Sequence, residues 1–173
     1  MIQIEKLQIY GFGKWVNANF NFHQNLTILD GPNESGKTSL KQCILYILFD
    51  SPSSVKKQYE PKEGSRFGGR LFLQVEQIGQ VIIERVNDKQ KGKASCYLPD
   101  GSVHDEAFLK QLLKGMDRHT FENIFAFDDQ ELQRLQSIKA DELGKVLFGI
   151  GLSGSNRITE VEHSLDKELE KWY

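Results

Sequence analysis

The most constraining feature of this sequence is residues 31–38, which read Gly-Pro-Asn-Glu-Ser-Gly-Lys-Thr and match the pattern G-x-x-x-x-G-K-[ST]. The apolar run Leu-Thr-Ile-Leu at residues 26–29 precedes the motif and predicts a buried strand. Residues 39–49 are rich in Leu and Ile and predict a helix. Strand, glycine-containing loop and helix, in this order, form the context in which the motif binds phosphate. The sequence therefore predicts an α/β fold of the P-loop NTPase type.

The residue types in the motif suit a nucleoside triphosphate bound with Mg²⁺. The two glycines let the backbone turn so that several N–H groups can face phosphate oxygens, and the helix N-terminus adds its positive dipole end. The lysine is expected to reach the β- and γ-phosphates, and the threonine hydroxyl is expected to ligate the metal. We therefore predict ATP and Mg²⁺ as ligands, with nucleotide contacts from Gly31, Pro32, Asn33, Glu34, Ser35, Gly36, Lys37, Thr38 and Ser39.

The remaining pattern divides into strands followed by helices. Apolar alternation, which is broken in the first stretch, predicts strands over residues 2–9 and 16–22. Apolar runs on either side of an Ile-Gly pair at 78–79 predict a hairpin over 71–75 and 81–83, followed by a third meander strand over 94–98. Residues 50–67 are expected to form a mobile loop. Helices are predicted over residues 106–113, 120–127, 130–136 and 141–148.

The last segment has a helical apolar stripe flanked by charged residues. Its apolar positions are Ile158, Val161, Leu165, Leu169 and Trp172. Such spacing indicates either a terminal helix packed on the domain or the start of a coiled coil, and so short a run leaves both open.

Composition and charge exclude few functions. Hydrophobic residues make up 39% and charged residues 27% of the chain, and the net charge is −2, so no global field favours nucleic acid or membrane. The longest apolar stretch, residues 43–49, is too short to span a bilayer, and no signal peptide is visible, so we expect a cytoplasmic protein with no membrane partner. Cys43 and Cys96 lack metal-site spacing, and Cys43 is predicted to pack in the core.

Several stretches together resemble the N-terminal lobe of the SMC/SbcC-type ABC ATPases, and among these the YhaN-like bacterial AAA family. The stretches are residues 9–14 (Ile-Tyr-Gly-Phe-Gly-Lys), 31–34 (Gly-Pro-Asn-Glu), 68–71 (Gly-Gly-Arg-Leu), 121–127 (Phe-Glu-Asn-Ile-Phe-Ala-Phe) and 147–152 (Leu-Phe-Gly-Ile-Gly-Leu). The resemblance implies an ATP-hydrolysing head split in sequence by a long coiled coil. Residues 1–156 would form the N-terminal ATPase lobe, and residues 157–173 the root of the coiled-coil helix.

The resemblance also implies partners. A C-terminal lobe of the same protein would complete the head, a second head would join it as an ATP-driven homodimer, and the assembly would act in DNA repair or DNA-end processing, with DNA and a nuclease as possible partners. We find no apolar strand ending in Asp-Glu in this sequence, and in the family that strand follows the coiled coil. The chain is therefore expected to be one half of a head that hydrolyses ATP poorly alone, with residues 26–29 at an open sheet edge.

Further residue roles come from the resemblance alone. Lys14 lies near the position where relatives carry a basic residue that reaches the nucleotide, so it is either such a contact or an exposed lysine at the end of a strand. Alignment on the Glu-Leu pair at 131–132 places Asp129 where a metal-binding glutamine is expected, with Gln130 one step later, so Gln130 is either a second Mg²⁺ ligand beside Thr38 or a helix-surface residue. Arg70 and Arg85 are predicted to be solvated rather than to reach phosphate.

Two other functions fit the loop motif. One is a small P-loop kinase acting on a nucleotide or metabolite, which would leave the charged C-terminal segment unexplained. The other is a non-catalytic nucleotide-binding module. Phosphoryl transfer to a small acceptor would identify the first, and absence of hydrolysis after addition of the C-terminal lobe would identify the second.

Overall fold

The computed structural model describes residues 1–61, 64–88 and 92–126. The elements in these ranges are β1 (Ile2–Phe12), β2 (Trp15–Asn21), α1 (Lys37–Phe49), α2 (Ser53–Gln58), β3 (Gly68–Val75), β4 (Gly79–Val86), β5 (Ala94–Tyr97), β6 (Val103–His104), α3 (Glu106–Leu112) and α4 (Arg118–Phe125). The chain divides into two units, Met1–Arg118 and His119–Tyr173. The predictions for residues 130–136, 141–148 and 157–173, and for Asp129 and Gln130, lie outside the described residues.

The first unit is built on a six-stranded sheet with the order β2-β1-β3-β4-β5-β6, and every neighbouring pair is antiparallel. A tight turn joins β1 to β2, with Phe12 opposite Trp15. Its first residue is Gly13, whose φ of +58° suits glycine at this position of a hairpin turn. The predicted strands β1 to β5 are confirmed, whereas β6 was not predicted because its two residues carry no periodicity.

One face of the sheet forms the core. Leu7, Leu71, Ile83 and Cys96 lie in register across four strands, and each is fully buried. Helix α1 packs on this face and contributes Cys43, so the predicted packing role of this cysteine is confirmed. Burial raises the pKa of the Cys43 thiol, and it raises the pKa of the Cys96 thiol to about 12, so neither is a thiolate at neutral pH.

Arg85 also lies on the core face, and the prediction that it is solvated is wrong. It follows Val81 and Ile83 at the two-residue spacing of β4, and it is 1% exposed. Its Nη2 and Nη1 atoms donate to the two carboxylate oxygens of Glu106, at 2.8 and 2.9 Å, and its Nε donates to the Ile47 carbonyl at 3.0 Å. Arg85 therefore joins β4 to the end of α1 and to the start of α3.

The carboxylate that pairs with Arg85 is held ionised. Burial alone would raise the pKa of Glu106, but hydrogen bonds from Arg85 and from the Ala94 N–H outweigh it and lower the pKa. Arg70 lies on the opposite sheet face, where its Nε donates to Glu84 at 3.0 Å. Both arginines thus have carboxylate partners, Arg85 with Glu106 of α3 and Arg70 with Glu84 of β4.

The sequence predicted a loop over residues 50–67. This prediction is wrong in part, because α2 (Ser53–Gln58) lies within these residues. A helix of six residues is too short to show apolar periodicity, which explains why the pattern missed it. The segment packs on the turn between β1 and β2. Gly13 donates its N–H to the Tyr59 carbonyl at 2.6 Å, and the rings of Phe12 and Tyr59 stack at 4.9 Å.

The run at residues 26–29 does not form the buried strand predicted for it. It is not paired with any strand of the described ranges, and residues 24–30 make no backbone hydrogen bond to a described residue. Leu26 is 71%, Ile28 is 78% and Leu29 is 42% exposed. The run therefore has no strand neighbour in the described ranges, where all the strands belong to the antiparallel sheet.

Candidate nucleotide-binding site

The predicted loop lies between the exposed 26–29 run and helix α1, which begins at Lys37 as the motif requires. Gly36 is the helix N-cap residue, with φ of +101°, and its carbonyl accepts the N–H of Leu40 at 3.0 Å. Glu34 also has a left-handed backbone, with φ of +63°. Alternation of right- and left-handed residues curves the backbone into the concave form that binds anions.

Steric contacts require glycine at both motif positions. A Cβ atom on Gly31 would lie 2.9 Å from the Ser35 Oγ atom. One on Gly36 would lie 2.8 Å from both the Lys14 Cδ and the Trp15 Nε1 atoms. The glycines of the motif thus serve the close packing of the loop as well as its turn.

Lys37 spans the loop. Its ammonium group donates to the carbonyl oxygens of Gly31 and Pro32, the latter at 3.0 Å, and lies 3.3 Å from the Ser35 Oγ atom. The side chain is exposed, so the positive charge lies at the surface of the concave loop. This places the cation where a phosphate bound by the loop would meet it.

Most backbone N–H groups of the loop remain available. Ser35 donates its N–H to the Pro32 carbonyl at 3.2 Å. The other loop residues that have an N–H group donate it to no acceptor in the described ranges; these are Gly31, Asn33, Glu34, Gly36, Lys37 and Thr38. Together with the free N-terminal end of α1, these groups provide donors for an anion.

The other predicted site residues lie around the loop. Thr38 is exposed in the first turn of α1, and the Ser39 side chain lies beside Gly13 of the hairpin turn. Lys14 extends from that turn, and its ammonium donates to the Glu34 carbonyl at 3.0 Å. The structure thus brings every predicted nucleotide contact into one region, while Gln130 lies outside the described residues.

Two residues that contact the loop or the helix that follows it were not predicted. Trp15 donates its indole N–H to the Gly36 carbonyl at 3.2 Å. Arg118 fixes the other end of α1, with Nη1 donating to the Asp50 carbonyl at 2.9 Å and Nη2 to the Gln42 Oε1 atom at 2.7 Å. Trp15 could have been found because it is next in sequence to Lys14, which was predicted to reach the nucleotide. No local pattern could relate Arg118 to a helix so distant in sequence.

The described residues contain no group of three or more His, Cys, Asp or Glu residues that could hold a metal ion by themselves. A divalent cation at this loop would therefore need the Thr38 hydroxyl together with phosphate oxygens, as in P-loop proteins generally. No helix in the described ranges is long and apolar enough to cross a membrane.

Comparison with known proteins gives three findings. A family described as "AAA domain" matches residues 2–173. "Uncharacterized protein YhaN" of Bacillus subtilis (strain 168) is 34% identical over 173 residues, which are 99% of this chain and 18% of that protein. A "Protein-glutamate methylesterase/protein-glutamine glutaminase" of Methanococcoides burtonii is 24% identical over 161 residues, 88% of this chain and 45% of that protein.

Among solved structures, one from work on "ATP-driven dimerization and DNA stimulated activation of SMC ATPases" matches with a TM-score of 0.56 and 16% identity. The match covers 85% of this chain and 98% of the solved one. At this identity the match shows the fold, which is that of an SMC ATPase head and thus of the P-loop NTPase class. The chain spans less than half of the length of either curated relative.

Proposed function

This chain belongs to the AAA domain family, and on that premise we propose that it is the ATP-binding, N-terminal half of an SMC-like ATPase head. The observation that carries the proposal is the loop at residues 31–38. It combines a concave backbone, six N–H groups that donate to no described acceptor and the Lys37 ammonium in one exposed place. A concave surface that presents these donors beside a cation suits a polyphosphate.

The residues in and around the loop would have different roles in binding. The backbone N–H groups and Lys37 would hold the phosphates of ATP, and Lys14 would add a second cation at the edge of the loop. Thr38 would ligate Mg²⁺, which when bound neutralises phosphate charge. Gln130 is proposed as a second metal ligand from the family resemblance alone.

The exposure of the 26–29 run supports the proposal that a partner lobe completes the head. An extended run of apolar residues with a free backbone can accept a neighbouring strand, and burial of its side chains would then stabilise the pair. We propose that the C-terminal lobe of the same protein supplies this strand together with the carboxylate that activates water. Residues 157–173 would begin the coiled coil that connects the two lobes.

The larger assembly follows from the same proposal. Two completed heads would dimerise with ATP between them and use hydrolysis in DNA repair or DNA-end processing. The solved SMC ATPase structure comes from work on ATP-driven dimerisation and DNA-stimulated activation, which supports this proposal. Without its partner lobe, the chain is expected to bind ATP but to hydrolyse it near background.

The test is calorimetric titration of ATP with Mg²⁺ into the wild-type chain and into Lys37→Ala. Loss of a charge-assisted contact of about 1.5–3 kcal/mol predicts affinity at least tenfold weaker. Lys110→Ala, at an exposed position on α3, is the matched control and should bind as the wild type does. Equal affinities for the wild type and Lys37→Ala would contradict the assignment of the loop.

A further inference from the structure

The tip of the β1–β2 hairpin touches the phosphate-binding loop at two carbonyl groups. The Lys14 ammonium donates to the Glu34 carbonyl at 3.0 Å, and the Trp15 indole N–H donates to the Gly36 carbonyl at 3.2 Å. Within residues 31–38, Glu34 and Gly36 are the two residues with left-handed backbone, at φ of +63° and +101°. The hairpin thus contacts the loop at the two loop residues that have a positive φ angle.

The bond to Gly36 acts on a peptide plane that the first helical bond of α1 also holds, since the same carbonyl accepts the Leu40 N–H at 3.0 Å. In a trans peptide the carbonyl and the next N–H point in opposite directions. Because the Gly36 carbonyl faces the Trp15 indole, the N–H of Lys37 points away from the hairpin. That N–H donates to no described acceptor, so the orientation of this peptide determines where one of the loop's free donors is aimed.

The indole ring is itself held in place. It packs edge-on against Phe20, with ring centroids 5.0 Å apart and an interplanar angle of 83°. The Lys14 ammonium lies 5.5 Å from the Trp15 ring centroid, within the range of a cation–π contact. The absent Cβ of Gly36 lets the indole approach, since that atom would lie 2.8 Å from Nε1.

We propose that Trp15 is a positioning residue for nucleotide binding, whose indole N–H acts together with the Leu40 N–H to hold the Gly36 peptide so that the Lys37 N–H faces the phosphate. The inference rests on the proposed ATP site and adds a residue outside the motif to it. Trp15 acts through the loop and does not itself donate to the phosphate. Its aromatic ring packs the hairpin, and its N–H orients the loop.

The first test separates these two contributions. Trp15→Phe keeps an aromatic ring and removes the N–H donor. Loss of one neutral hydrogen bond predicts ATP–Mg²⁺ affinity about three- to tenfold weaker by calorimetry, with the urea unfolding midpoint showing whether the variant is folded. Phe20→Leu is the control, because it changes the packing of the ring but leaves the hydrogen bond.

The second test keeps the native Trp15. The chain has two tryptophans, Trp15 and Trp172, so Trp172→Phe leaves Trp15 as the only one. Its fluorescence emission should change on addition of ATP and Mg²⁺, and the change should saturate at the affinity measured by calorimetry. In a protein that also carries Lys37→Ala, the emission should not change. An emission that stays constant on addition of ATP and Mg²⁺ would count against a role of Trp15 in positioning the loop.

The outcomes distinguish this inference from the proposed function. If the wild type binds ATP while Trp15→Phe binds equally well and the Trp15 emission stays constant, Trp15 is not a positioning residue and the ATP site stands. If the wild type does not bind ATP, both fail. A weakened folded Trp15→Phe variant with a nucleotide-dependent emission supports both.

Discussion

Two isoleucines show how differently the two regions of this chain treat apolar residues. Ile83, on the core face of the sheet, is 0% exposed, whereas Ile28, in the run before the phosphate-binding loop, is 78% exposed. Ile83 has strands on both sides and α1 above it, while the run around Ile28 is paired with no described strand. The sheet completes its core from residues of this chain, and the 26–29 run is proposed to need a strand from outside it.

The largest expected effect lies in the region that completes its own core. Arg85→Met removes the partner of the Glu106 carboxylate and leaves carbonyl groups at the end of α1 without their donor. Breaking a buried ion pair in this way predicts destabilisation of about 3–5 kcal/mol by urea unfolding. Arg66→Met is the matched control, because its pair with Asp88 at 3.4 Å is exposed and should contribute about 1 kcal/mol at most.

If Arg85→Met lowers the free energy of unfolding no more than Arg66→Met does, the Arg85–Glu106 pair does not hold α1 and α3 to the sheet. The sheet region would then lack the main polar interaction that distinguishes it from the incomplete loop region.

The next effect compares the two isoleucines directly. Ile83→Ala removes buried methyl and methylene groups and predicts destabilisation of about 2–4 kcal/mol, whereas Ile28→Ala should stay within about 0.5 kcal/mol of the wild type. Urea unfolding measures both. Equal losses would show that Ile28 is buried within this chain, against the exposure described here.

The sequence predicted the sheet well because its alternation is local. Strands β1 to β5 follow from short apolar runs and from alternation, which β1 breaks between Ile4 and Leu7, and the phosphate-binding loop follows from a motif of eight residues. The same alternation could have corrected the prediction for Arg85, since Val81, Ile83 and Arg85 share one face of β4. A charged residue at an inner position predicts a buried partner rather than solvent.

Other features could not be predicted from local pattern. The contact between Arg118 and the end of α1 joins residues that are far apart in sequence. The hydrogen bond from Trp15 to Gly36 depends on how the hairpin packs on the loop, which no spacing reveals. The 26–29 run has the composition of a buried strand, and its exposure depends on which strands are present, not on its own residues.

Hydrogen exchange of the backbone amides at residues 26–29, followed by mass spectrometry, tests the central claim most directly. In this chain alone these amides should exchange nearly as fast as an unfolded peptide, while those of β3 stay protected. In a longer protein that carries the C-terminal lobe, the amides of residues 26–29 should become protected. Protection equal to that of β3 in the isolated chain, or none in the longer protein, would contradict the proposal that this run is a strand completed by the second lobe.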